Sequence, residues 1–137
     1  MSKKRFLFVA LMFLSLTCWA EVTYMTDADF QAKIFDYTTQ KEWKYSGQPC
    51  VVDFYATWCG PCKRLAPVMD SLSTVYKGKI NFYKVDVDKE PNLAKAFGIR
   101  SIPQVLYIPS SGKPSVQVGL YPTEEIVKGL NSLLSNR

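Results

Sequence analysis

Cys59 and Cys62 stand at the end of the run VVDFYATWCGPCK, residues 51–63, with only Gly60 and Pro61 between them. Two thiols three positions apart can do one of two things. At the start of a helix they share a face and can exchange a disulfide with a partner, the first thiol attacking and the second resolving the mixed disulfide. Alternatively they form half of a zinc site, which needs two further ligands, usually a second such pair or two histidines. The chain has no histidine, and its other cysteines are Cys18 and Cys50, so exchange is the better reading. Asp53 is the third candidate. It interrupts an apolar run where an unpaired charge is costly. Burial drives a carboxyl pKa upward, towards the range of a general acid or base working near neutrality. The alternative is a carboxylate neutralised by Lys84, with a packing role only.

These side chains need elements to position them. Residues 50–56 are nearly all apolar, as in a central strand covered on both faces. After Cys59 a helical pattern places Leu65, Val68, Met69, Leu72 and Val75 on one face, with Pro67 inside it as a kink. Cys59 therefore lies at a helix N-terminus, where unpaired N–H groups favour a thiolate and can lower a cysteine pKa from ~8.5 to about 7 or below. Thr26 caps a first helix carrying Phe30 and Ile34, and Asp29 completes a capping box. The polar stretch 36–49 holds Trp43 and Tyr45 and reads as a long loop covering the core. Residues 80–86 form a second β-rich run, and Pro91 opens a short helix that Gly98 closes. Residues 104–108 and 115–118 are strands joined through the hairpin turn PSSGK. Thr123 caps a last helix with Glu124 and Glu125 in its first turn and Ile126, Val127, Leu130, Leu133 and Leu134 on its apolar face. The order β-α-β-α-β-α-β-β-α gives an α/β fold, a central mixed sheet flanked by helices.

Composition sets the outer bounds. The chain has 137 residues, 47% of them apolar, enough for one domain with a substantial core. Residues 1–20 have a basic start (Lys3, Lys4, Arg5), an apolar stretch over 6–14, and small residues Cys18 and Ala20 at −3 and −1 of a cleavage point. That is the layout of a secretory signal peptide, leaving a mature domain of 21–137. The apolar stretch is shorter than the roughly 20 residues of a membrane anchor. A lipid-modified Cys18 is a further option, which Thr17 before it fits poorly. Without the three basic residues the net charge drops from +5 to +2, and neither a nucleic-acid surface nor a polybasic membrane patch is expected. Export implies an oxidising compartment. A disulfide scaffold does not follow, because three cysteines remain and the Cys59–Cys62 loop is too small to contribute much stability.

WCGPCK after VVDFYAT, together with GIRSIPQVLYI, resembles the thioredoxin family, and the likeness runs from about residue 28 to 134. The resemblance implies a thioredoxin fold with Cys59 as nucleophile, Cys62 as resolving cysteine and Gly60 and Pro61 tuning the pair. It makes Trp58 the tryptophan that packs beside the disulfide and Asp53 the buried aspartate that assists proton transfer at Cys62, with Lys84 near it. Pro103 corresponds to a cis-proline facing the cysteines, although its place before a strand would by itself read as a trans strand-start proline. Ile102 would pair its backbone with substrate, Gly119 would lie beside the substrate groove, and Pro67 would be the family's helix kink. Three features depart from the family pattern: Tyr55 where many relatives carry tryptophan, the extra thiol of Cys50, expected to behave as a buried small hydrophobe, and the length of 36–49. The implied activity is that of a thiol–disulfide oxidoreductase, needing no cofactor or metal, acting as a monomer on disulfide-containing client proteins. Gly-Pro between the cysteines resembles the reducing members, so a reductase of the periplasm or cell envelope is expected, supplied with electrons by a membrane protein. Two other readings stay open: a net disulfide donor, if no electron donor exists, and a binding subunit that uses the groove around Pro103 without turnover.

Overall fold

The computed structural model describes residues 21–135. The leader expected at 1–20, with Cys18, lies outside the described residues. The elements are β1 (Val22–Tyr24), α1 (Asp27–Lys33), β2 (Cys50–Tyr55), α2 (Gly60–Val75), β3 (Asn81–Asp86), α3 (Pro91–Ala96), β4 (Gln104–Ile108), β5 (Ser115–Val118) and α4 (Thr123–Ser135). Their order is the one expected from the sequence. They build one five-stranded sheet, β1-β3-β2-β4-β5, in which β1, β3 and β2 run parallel, β4 runs antiparallel to β2, and β5 runs antiparallel to β4. This is the thioredoxin fold.

The pleat divides the core into two layers, because successive strand side chains point to opposite faces. Val51, Phe82, Val105 and Tyr107 pack beneath Leu65, Met69 and Leu72 of α2 and Ile126, Leu130 and Leu133 of α4. On the other face Cys50, Val52, Phe54, Val85 and Leu106 meet Phe30 of α1 and Leu93 of α3. The central strand β2 is buried along all but its last residue, which explains its unbroken apolar run.

Local signals work as their chemistry dictates. Thr26 and Asp29 close a capping box on α1, the Asp29 N–H donating to Thr26 Oγ1 at 3.1 Å and the Thr26 N–H to Asp29 Oδ2 at 3.2 Å. Gly98 takes φ +60°, the left-handed conformation that suits glycine, just beyond α3. Residues 36–49 form neither helix nor strand, and there Trp43 stacks on Phe35 at 4.9 Å and joins Tyr45 on the second core layer. The segment covers the core. Two expectations need correction. Val75 is 69% exposed: four residues on from Leu72, the buried stripe continues at Tyr76, and Val75 is rotated out of it. Thr123 is the first helical residue of α4, not its cap. The Pro122 carbonyl instead accepts the first N–H groups, from Glu125 at 3.0 Å and Ile126 at 3.3 Å.

Candidate active site

The cysteine pair sits at the junction of β2 and α2. Cys59 is the N-cap of α2, and its sulfur accepts the Cys62 N–H at 3.2 Å. Gly60 and Pro61 open the helix, where a proline has no needed N–H to lose. Cys59 and Cys62 are joined as a disulfide, with Cα atoms 5.2 Å apart, and they are only 5% and 3% exposed. The Cys59 sulfur lies 3.8 Å from the Ile102 carbonyl oxygen. The Ile102–Pro103 peptide is cis, as the resemblance implies. Pro103 accepts the Gly119 N–H at 2.8 Å, and Gly119 is held at φ +94°, where a side chain would strain the backbone. One hydrogen bond thus ties the segment before β4 to the end of β5 beside the disulfide. Leu120 and Tyr121, which follow, are exposed.

Trp58 stands 69% exposed, anchored by its indole N–H to Asp88 Oδ2 at 2.7 Å. Asp88 was not legible as a site residue. It lies in the turn after β3, thirty positions away, and no motif in the sequence links it to Trp58.

Asp53 is buried at the centre of β2, 4% exposed, and its Oδ1 has no hydrogen-bond partner. Burial pushes its carboxyl from the ordinary 3.8 up to about 7, and the attraction of Lys84 offsets part of that rise. A cavity of about 120 Å³ joins it to the pair, lined by Asp53, Tyr55, Ala56, Cys62, Lys63 and Lys84 among others. Such a space can hold ordered water. Lys84 is the register neighbour of Asp53, yet its ammonium does not pair with the carboxylate. Among the described residues the ion pairs within 4.0 Å are Lys33–Asp29 and Lys128–Glu125. Lys84 Nζ instead lies 4.4 Å from the ring centroid of Tyr55 and 5.0 Å from that of Tyr24. Lys84 therefore attracts Asp53 without forming an ion pair with it.

Cys50 is separate from the site. It is fully buried on the opposite face of the sheet. Burial raises its thiol to about 12, with the neighbouring Tyr45 hydroxyl pulling the other way. At neutral pH it is a protonated, inert thiol.

Comparison with known proteins agrees with this geometry. The family model described as Thioredoxin matches residues 21–132. A thioredoxin of Borreliella burgdorferi is 51% identical over 96 residues, covering 69% of this chain and 82% of that protein. Thioredoxin 1 of a Nostoc species is 39% identical over 103 residues, 75% of this chain and 96% of its own. Among solved structures, the thioredoxin of Malassezia sympodialis superposes with a TM-score of 0.69 at 28% identity, over 86% of this chain and 96% of that one. A helix-capping disulfide beside a cis-proline, over a buried carboxyl, is thus set in a chain whose relatives are protein-disulfide oxidoreductases. The chain belongs to the thioredoxin family and is a thiol–disulfide oxidoreductase that acts on disulfide-containing substrates.

Proposed function

We propose that this thioredoxin is exported, with residues 1–20 as its cleaved signal, and that it reduces client protein disulfides in the periplasm or cell envelope as a monomer. A membrane protein carrying electrons outward from a cytosolic pool would return it to the dithiol. The single observation that carries turnover, against a binding-only role, is the cavity shared by Cys62 and the unpartnered Asp53 carboxyl. The reducing direction is supported by Gly60-Pro61 between the cysteines.

The chemistry follows from the geometry. In the dithiol state the N-terminus of α2 stabilises the Cys59 thiolate. That sulfur bonds to one client sulfur while the client disulfide breaks, and the other client sulfur leaves as a thiolate and takes up a proton. Backbone groups at Ile102 pair with the client beside the sulfur, which Ile102 already approaches at 3.8 Å. Exposed Trp58, Leu120 and Tyr121 give the client an apolar ledge beside half-buried Gly119 and the buried Pro103. Cys62 then passes its proton to Asp53 through the shared cavity. Its thiolate attacks the Cys59 sulfur, closes the intramolecular disulfide and expels the second client thiolate. Two electrons have passed to the client.

Alkylation of thiols in fractionated cells tests the proposal. A reductase should be found outside the cytosol, without its first twenty residues and with Cys59 and Cys62 largely reduced. Cytosolic protein that keeps residues 1–20 would defeat the export reading. Exported protein held oxidised would make it a disulfide donor.

A further inference from the structure

Tyr24, Lys84 and Asp53 are register partners on β1, β3 and β2, so their side chains form one row on one face of the sheet. Tyr55, two residues along β2 from Asp53, projects on the same face. Lys84 sits in the middle of this row and can lean towards either the carboxyl or the rings. It leans towards the rings. Its ammonium is within cation–π range of Tyr55 and Tyr24, whose rings meet edge to face at 6.4 Å. Asp53 Oδ1 is left without a partner.

We propose that Tyr24 and Tyr55 are positioning residues whose rings clamp the Lys84 ammonium away from Asp53, so that the carboxyl stays able to exchange a proton with Cys62. This rests on the reading of Asp53 as the proton acceptor. A lysine in contact with a buried carboxylate would favour the ionised form and leave a weak base. Held over the rings, Lys84 attracts the carboxylate only in part, and burial outweighs it at Asp53. Other charged and titratable groups face the two ends of the row. Asp86, Lys89 and Glu90 line a cavity of about 230 Å³ on the Lys84 side. Cys62 and Lys63 of α2 face Asp53 across the smaller cavity, and Tyr107 of β4 couples to it electrostatically. In the pattern of tyrosines, neither ring's role was visible from the sequence: Tyr55 showed only as a departure from the family's tryptophan.

The test is the titration of the Asp53 carboxyl carbon, followed by NMR in the oxidised protein. Tyr24 is 69% exposed, so its replacement leaves the core intact. Tyr24→Leu should lower the Asp53 midpoint by about half a pH unit or more, as Lys84 turns to the carboxyl. Tyr24→Phe keeps the ring face and should leave the midpoint in place. In a Lys84→Met background the Leu and Tyr forms should titrate alike. Equal midpoints for the Leu and Phe variants would overturn the clamp, as would a Leu effect that persists without Lys84. The pH profile of client reduction by Asp53→Asn tests the underlying reading separately. A profile unchanged from the wild type would remove Asp53 as proton acceptor, while the midpoint comparison still decides whether the clamp exists.

Discussion

Replacing Asp53 by Asn should make the protein more stable and slower. The folded chain holds the Asp53 proton up to about pH 7, whereas an unfolded chain releases it near 3.8. Between those values the folded state binds the extra proton, so stability falls as pH rises through this window and the loss stays constant above it. A rise of about 3 units at roughly 1.36 kcal/mol each sets the cost at no more than about 4 kcal/mol above pH 7. Asparagine keeps the shape and cannot ionise. Urea unfolding of the oxidised wild type and Asp53→Asn should therefore nearly coincide at pH 4. At pH 8 the variant should lead by about 2 to 4 kcal/mol. Client reduction at pH 7 should fall by roughly 10²-fold or more, the usual worth of acid–base assistance. A stability difference that is the same at pH 4 and pH 8 would refute the buried-carboxyl reasoning.

Three further changes follow from particular contacts. Cys62→Ser removes the resolving thiol, so Cys59 should accumulate as a mixed disulfide with client, visible as a stable adduct by mass spectrometry; prompt release would contradict the assigned roles. A Cβ at Gly129 would stand 2.6 Å from Cε1 of the buried Tyr107 ring. Gly129→Ala should cost about 1–3 kcal/mol in denaturant unfolding, despite the better helix propensity of alanine; a stabilised variant would show that the ring moves freely. Thr26→Ala opens the capping box of α1 and should lower unfolding stability by about 1 kcal/mol, with activity retained.

Much of this molecule was legible because short-range chemistry dictated it. The apolar run over 50–56 reads as a covered strand, and β2 is buried as that run requires. The Thr26–Asp29 box and the hairpin between β4 and β5 depend on a few neighbouring residues, and they form where expected. Other features depend on distant parts of the chain. β1 could be counted but not bounded, since three residues at a sheet edge carry too little periodicity, and only pairing with β3 defines them. Val75 fits the apolar pattern of α2, but the next buried position is taken by Tyr76. At the site, the cysteines and Asp53 declare themselves by type and spacing. The hydrogen bond of Trp58 to Asp88 and the contact of the Lys84 ammonium with two tyrosine rings arise only when β1, β2 and β3 come together.

The most direct test of the reducing role is the reduction potential of the Cys59–Cys62 pair, obtained by equilibration against glutathione and dithiothreitol buffers. Each 30 mV is about 1.4 kcal/mol for this two-electron couple, so the scale separates the two directions clearly. A reductase requires a value of about −250 mV or lower. A value of about −180 mV or higher would contradict that role and make the protein a disulfide donor or isomerase.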